Sequence, residues 1–288
     1  MIDSELREDM THIDRNLPVI FHKNLLYRTT GRFICHWHET LEFLYFVKGE
    51  AVVYCNSVPI KAKKGDLIIV NSNELHQGES ITPVTEYYCF IVDTSFFKSR
   101  NIDSCETKYI NPIYQNRILF NNKVEKDKQI THCIKNLIGE LENKETGFEL
   151  GVKAYIFQLL TILLRSHVQK VLTKRECNTR MKNLERFNKV LEYMDQYYSQ
   201  KISIDSLAAI CNISRFHFCR LFREAVGMPP GDYLNELRIR KSEQVMREKG
   251  LNVTEAAMAC GFDNVNYFSR LFKKYRNITP SAFIKQAN

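Results

Sequence analysis

"FCRLF" (residues 218–222) is answered fifty residues later by "FSRLF" (268–272), each setting an arginine among apolar residues. The match extends well beyond five positions. Upstream, Ile204, Leu207, Ala208, Cys211 and Ile213 correspond to Val253, Ala256, Ala257, Cys260 and Phe262 at an offset of 49. One extra residue then enters the second copy. Phe218, Arg220, Leu221, Phe222 and Arg223 correspond to Phe268, Arg270, Leu271, Phe272 and Lys273 at an offset of 50, and Pro230 and Tyr233 to Pro280 and Phe283. Self-similarity of this length marks a duplicated module.

Each copy reads as a helix-turn-helix. "DSLAAIC" and "TEAAMAC" are short helices whose alanines let a second helix approach closely. Asn212 and Gly261 follow, residues able to take the left-handed conformation that stops a helix. Ser214 and Asp263 are then expected to cap the next helix through side-chain oxygens. In that second helix Phe218, Leu221 and Phe222 (Phe268, Leu271 and Phe272 in the repeat) bury one face. Arg215, Phe216, Cys219, Arg220 and Arg223 are left on another, as are Asn264, Val265, Asn266, Ser269, Arg270 and Lys273.

Charge points the same way. From Met181 onward there are 17 basic and 11 acidic residues, so most of the chain's net charge of +8 lies in its last third. A basic surface attracts polyanions. Arginine on a short exposed helix suits bidentate contact to guanine or contact to phosphate.

"NISRFHFCRLFREAVGMPPGDYLNELRIRKSEQVM" followed by "VTEAAMACGFDNVNYFSRLFKKYRNITPSAF" resembles the DNA-binding domain of AraC/XylS-type bacterial transcription regulators over roughly residues 185–287. The resemblance implies two helix-turn-helix units joined by a helix of about Tyr233–Lys249, reading successive major grooves roughly 34 Å apart. It places base-reading positions on Phe216, Cys219 and Arg220, and on Val265, Asn266, Tyr267 and Arg270; Arg215 and Asn264, on the same outward faces, join them as candidate DNA contacts. Cys219 and Val265 lack good donors, so apolar contact with thymine methyls would replace hydrogen bonding there. Double-stranded DNA, a small-molecule effector, RNA polymerase and a second copy of the chain are the partners it implies.

Residues 20–110 read differently. "LEFLYFV" (41–47), "AVVYC" (51–55), "DLIIV" (66–70) and "EYYCFIV" (86–92) are short, β-branched and aromatic, with Gly, Asn or Pro between them. Closely spaced strands without intervening helices argue for an antiparallel sandwich or small barrel. "GRFICHWHETLEFLYFVKG" (31–49) and "GDLIIVNSNELHQGES" (65–80) resemble the two motifs of the cupin barrel. His36, His38, Glu42 and His76 stand where cupin enzymes hold a divalent metal, although Asn71 and Asn73 replace the usual Pro and Gly. His36, His38 and Glu42 share strand parity, so all three can face one interior. Three roles fit them: a divalent metal site, a polar cluster facing a ligand, and a structural network. With Tyr45 they are the candidate ligand-binding residues. Trp37 and Phe43, like Tyr45, are candidates for stacking, Trp37 having the opposite parity. Carbon-source sensing is the commonest theme the resemblance implies, so a polar effector such as a carbohydrate is expected.

Helical spacing begins near residue 125. Ile134, Leu137, Ile138 and Leu141, then Ile156, Leu159, Leu160, Leu163 and Leu164, form stripes broken by "NKETG" (143–147). These stripes fit either a dimer surface through Leu137, Leu141, Leu160 and Leu164 or packing on the strands. "QKVLTKRECNTR" (169–180) reads as a charged linker. Leu184, Phe187, Leu191, Met194 and Tyr198 begin the second domain.

The expected architecture is α+β in two domains. Residues 1–168 form an N-terminal antiparallel, cupin-like β-barrel with a helical hairpin, for ligand sensing and dimerisation. Residues 169–182 form the linker, and 183–288 an all-α double helix-turn-helix. No apolar run reaches membrane-spanning length, the polar "MIDSELREDM" is not a secretory signal, and nine scattered cysteines suit a reducing cytoplasm. The expected function is a DNA-binding transcription activator without catalytic residues or obligatory cofactor. The alternative is a metal-dependent cupin enzyme fused to a DNA-binding domain, with Glu39, Glu50 and Tyr54 as its nearest acid–base candidates.

Overall fold

The computed structural model describes residues 17, 19–28, 32–56, 58–93, 103–226, 228–276 and 278–287. Its contacts divide the chain into two compact units, one ending at Lys182 and the other beginning at Asn183. The "MIDSELREDM" segment and the side chain of Leu184 lie outside the described residues.

In the first unit the strands are β1 (Val19–Tyr27), β2 (Arg32–His36), β3 (Leu41–Lys48), β4 (Glu50–Cys55), β5 (Val58–Lys63), β6 (Leu67–Val70), β7 (His76–Ser80), β8 (Val84–Val92), β9 (Ile118–Phe120), β10 (Lys123–Val124) and β11 (Val168–Val171). The helices are α1 (Asn111–Tyr114), α2 (Lys128–Asn143) and α3 (Phe148–Ser166). Antiparallel ladders order five strands as β1-β8-β3-β6-β10 and four as β2-β7-β4-β5, with β11 and β9 paired separately. The two larger sheets face each other without closing among the described residues. The architecture is the expected antiparallel, cupin-like fold, its two sheets packed as an open sandwich. Strand twist lets two sheets pack in this way without a shared ladder.

Strand β3 explains why the sequence alternates so little here. Leu41 to Phe46 are all buried, as befits a strand covered on both faces. Leu44 and Phe46 join Ile68, Val70, Tyr87, Cys89 and Ile91 in the core between the sheets. Leu41, Phe43 and Tyr45 point the other way, into a second core shared with α2 and α3.

That second core decides between the two readings of the helical stripes. Leu137, Leu141 and Leu160 are buried within one chain and Leu164 packs against the same cluster. They cover the outer face of the five-stranded sheet, as the packing reading expects. Asp127 caps α2, its carboxylate accepting from the N–H groups of Gln129 and Ile130, and the expected break falls between Asn143 and Phe148.

The stretch 169–182, expected as a linker, is ordered. It carries most of β11 and the first turns of α4 (Lys174–Tyr197), which Thr173 and Glu176 cap reciprocally. Its charges are a solvated helix face. Arg180 turns inward, its guanidinium largely buried and 3.5 Å from the carbonyl oxygen of Asn73.

The second unit follows as α5 (Ile204–Ile210), α6 (Arg215–Val226), α7 (Pro230–Lys249), α8 (Val253–Ala259), α9 (Val265–Arg276) and α10 (Pro280–Ala287). The connecting helix α7 starts three residues before the expected Tyr233, because Pro230 is well suited to a first helical position. Phe187, Val190, Leu191 and Met194 of α4 are buried, with Phe187 6.4 Å from Phe218 and 6.0 Å from Phe222 between ring centroids. Tyr198, expected on the same face, lies past the end of α4 and packs with the second module. Helix α7 serves both modules: Tyr233 stacks edge-on to Phe222, while Ile239 and Met246 enter the core of Phe262, Phe268 and Phe272. Arg276 of α9 holds Glu243 of α7 through two hydrogen bonds of 2.6 Å. No helix among the described residues is long and apolar enough to cross a membrane.

Candidate functional site

The repeated modules are built from matching local devices. Ser203 caps α5 by accepting from the N–H of Ser206, and Asn252 caps α8 in a reciprocal box with Glu255. The turns then pass through Asn212 at φ 53° and Gly261 at φ 80°. Ser214 Oγ stands 3.4 Å from the N–H of His217 at the start of α6. In the second copy the cap is Asn264, whose Oδ1 accepts from the N–H of Tyr267 at 2.9 Å. This corrects the expected cap, Asp263. The residue inserted in the second turn precedes the cap, so the partner of Ser214 lies fifty positions on, at 264.

On α6, Arg215, Phe216 and Arg220 are exposed and Cys219 is half-buried. Phe216 is 83% exposed, which is far from its preference in water. Arg215 lies 3.4 Å from Asp205, both in solvent. On α9, Asn264, Asn266, Tyr267 and Arg270 are exposed and Val265 is half-buried. Asn264 is already committed to its cap. Tyr267 accepts a hydrogen bond from Asn235 at 3.2 Å, and the Arg270 guanidinium lies 5.9 Å from its ring. Lys273, Lys274 and Lys285 add exposed positive charge. Met258, 64% exposed on α8, is a further surface residue that the self-match did not single out.

The second candidate lies between the sheets of the first unit. His36 ends β2 and pairs in register with His76 at the start of β7. His38 follows β2, and Glu42 comes from β3 in the facing sheet. One ligand-type atom from each of the four lies within 4.8 Å of every other. His38, Glu42 and His76 are buried and His36 is half-buried. Glu42 Oε2 is 3.3 Å from His38 Nε2 and 2.8 Å from His76 Nε2, and its Oε1 accepts from the Cys89 thiol at 3.0 Å.

The proton positions matter. His76 Nδ1 lies 2.9 Å from the backbone carbonyl of Glu74, which can only accept, so Nδ1 carries the proton. In the neutral ring the lone pair is then on Nε2. That atom is buried and makes no hydrogen bond; its approach to Glu42 is close but misdirected. Burial alone would raise the Glu42 carboxyl, but the imidazoles of His76 and His38 outweigh it and hold its pKa well below the ordinary carboxylate value. Burial, reinforced by His36, brings His76 down to about 4 against the pull of Glu42. A carboxylate and neutral imidazoles are the donor set of a divalent transition-metal site, and these four residues are those able to hold one.

Tyr45 is not part of this group. It has the parity of Phe43, not of Glu42, and packs in the outer core against the hairpin. Its expected place beside the histidines is corrected, and Phe43 faces away from them for the same reason. The aromatic neighbours are Phe33, whose ring lies 6.2 Å from His36 and 6.1 Å from His76, and Tyr87, 6.3 Å from Phe33. Strict alternation puts Phe33 and His36 on opposite faces, but a register shift between them reverses the parity. Tyr54 points away from the interior and donates to Glu79 at 3.3 Å, while Glu39 and Glu50 are exposed.

The second motif departs from cupins in a readable way. Asn73 sits at φ 59°, the conformation a glycine would supply, and its N–H donates to the carbonyl of His38 at 2.8 Å. Asn71 exchanges hydrogen bonds with the backbone of Phe120 at 2.8 and 3.1 Å. Buried Glu74 accepts from Asn56, Asn71 and Asn122.

Comparison with known proteins agrees with both halves. Residues 27–160 match the AraC-like ligand binding domain and residues 207–286 a helix-turn-helix domain. The HTH-type transcriptional regulator YdeC of Bacillus subtilis is 25% identical over 291 residues, covering 99% of this chain and 98% of that one. The HTH-type transcriptional activator RhaS of Escherichia coli is 27% identical over 151 residues, 51% of each chain. The fatty-acid-bound structure of ToxT from Vibrio cholerae aligns with a TM-score of 0.47 at 12% identity, over 92% of this chain and 94% of that one. A ligand-binding sandwich joined to a duplicated helix-turn-helix defines a ligand-responsive transcription regulator. The chain belongs to the AraC family.

Proposed function

We propose that the protein is a cytoplasmic homodimeric transcription activator that recruits RNA polymerase when a small polar effector occupies the first unit. The observation that carries the DNA half is the matched pair α6 and α9. Two capped helices present Arg220 and Arg270 at equivalent points of a duplicated module, within the basic third of the chain. Both arginines are read as base contacts; Arg215, Phe216, Cys219, Asn266, Val265 and Tyr267 complete the surface. Asn264 supports it by capping α9. The effector is read as binding at His36, His38, Glu42 and His76, beside Phe33 and Tyr87, and a carbohydrate is the first class to test.

The enzyme reading draws on the same histidines and glutamate. The exposure of Glu39 and Glu50 and the outward direction of Tyr54 favour the regulator, because a general acid or base must reach the reacting atoms. Footprinting of the full-length protein on the DNA upstream of its own gene tests the proposal. Protection of two segments about ten base pairs apart per subunit is expected. A protein that neither protects this DNA nor shifts bulk duplex in a salt-dependent way is not a DNA-binding regulator.

A further inference from the structure

His76 poses a problem that the protein's own side chains do not solve. Its Nδ1 is committed to the Glu74 carbonyl, and its buried Nε2, 2.8 Å from a Glu42 carboxylate oxygen, makes no hydrogen bond in that geometry. A buried ring nitrogen left without a hydrogen-bond partner is costly. His36 and His38 stand beside it with ring centroids 4.1 and 5.1 Å from that of His76. A cation at the common centre would turn each of these liabilities into a bond.

We propose that His36, His38, Glu42 and His76 bind one divalent first-row transition-metal ion, which joins the two sheets of the sensing unit. Three imidazoles and one carboxylate select zinc, iron, nickel, cobalt or manganese over calcium or magnesium, whose shells are built from oxygen. Bonds of about 2.0–2.2 Å place the ligands of one shell roughly 3–4.3 Å apart, against a largest separation of 4.8 Å here. The shell closes with small side-chain movements. The surroundings fit as well: the Glu74 carbonyl fixes His76, Thr40 lies 2.8 Å from His38 Nδ1, and the Cys89 thiol donates to Glu42. Such partners orient ligands in known metal sites. His36 and His76 come from the four-stranded sheet and Glu42 from the five-stranded one, so the ion would cross-link them. His36 is the more open ligand and marks the side from which an effector could reach the ion.

The proposal takes the cluster to be the sensing site, but its test does not depend on DNA binding. Full-length protein without an affinity tag is stripped with a chelator and titrated with cobalt(II), followed by its visible absorption. One equivalent per chain is expected, displaced by zinc and accompanied by a rise in Tm. Glu42→Gln, nearly isosteric, should weaken cobalt at least tenfold, and the double variant His38→Ala/His76→Ala should abolish the spectrum. His132→Ala, an exposed histidine on α2, should leave it unchanged. Wild-type protein that takes up no cobalt overturns the proposal, and so does a spectrum that survives Glu42→Gln at full affinity. A DNA mobility shift on the same samples separates the two readings. Shift without cobalt binding defeats the metal site alone, and cobalt binding without shift defeats the DNA-binding reading alone.

Discussion

Gly261 faces the backbone of Ser199 so closely that a β-carbon on it would stand 2.5 Å from the Ser199 carbonyl oxygen. The glycine is also at φ 80°, so the turn before α9 needs it on two counts. Gly250, at φ 64° after α7, has open space around it. Gly250→Ala should cost about 1 kcal/mol, the left-handed penalty alone. Gly261→Ala should cost at least about 3 kcal/mol, because the backbone of Ser199 must also move. Urea unfolding of the two variants checks the ranking, and equal losses would contradict it.

Arg220→Ala and Arg270→Ala should each relax sequence preference at one position, the two positions lying about ten base pairs apart. Loss of a bidentate base contact is expected to cost about 1–3 kcal/mol on the preferred site, whereas loss of a phosphate contact weakens all sites alike and lowers the salt slope by about one. Lys285→Ala serves as the phosphate-type comparison. Binding to a library of operator variants measures all three. Uniform weakening would make that arginine a phosphate clamp, and no change would leave the repeated phrase only its phenylalanine–leucine core.

Asn73 combines a left-handed backbone with a buried side-chain amide that makes no hydrogen bond among the described residues. Its useful contacts, to His38 and Arg180, are made by its backbone. Asn73→Gly keeps both and removes the amide, so it should stabilise the first unit by about 1 kcal/mol after the entropy cost of glycine. Asn73→Ala keeps the strained φ and should be the less stable of the two. Thermal unfolding of both variants is the measurement, and an alanine variant that matched or exceeded the glycine one would contradict the argument.

Glu176 is held down to about 2, first by its hydrogen bond from Lys170 and then by the N–H of Thr173. Its folded value lies below the ordinary 4.5, so its contribution is present above about pH 4.5 and is lost as pH falls toward 2. An NMR titration of the Glu176 carboxyl should show the low midpoint, and Lys170→Ala should raise it. A midpoint near 4.5 in the wild type would mean that the pair is open in solution.

The helical half was legible because its instructions are local and written twice. Adjacent alanines, a turn residue, a cap and a Phe-x-x-Leu-Phe stripe each act within one or two turns of helix, and the repeat let every position be checked against its partner. Even there the inserted residue misassigned the cap to Asp263. The histidines and Glu42 were singled out by the cupin-like motifs; parity along one strand is not what gathers them, since His38 lies past β2 and Glu42 on the facing sheet, yet their ligand atoms lie together. Phe33 was not singled out, since a bulge reverses its parity. Tyr45 went wrong for a related reason. Both faces of β3 are apolar, so nothing in its own letters says which face looks at the other sheet and which at the helices. The leucine stripes of α2 and α3 posed the same ambiguity, because burial against a sheet and burial against a second copy require the same pattern.

The five-stranded sheet is a partition one residue thick. Glu42 projects from it into the sandwich, while its chain neighbours Leu41 and Phe43 project into the close-packed core of the hairpin. Neither side can be compressed independently, since packed interiors transmit displacement and do not absorb it. Any displacement of Glu42 within the sandwich would therefore be felt by Leu41 and Phe43 on the surface that faces α2 and α3. The strand is a diaphragm in its construction, with a polar cluster on one surface and a helix-packed core on the other.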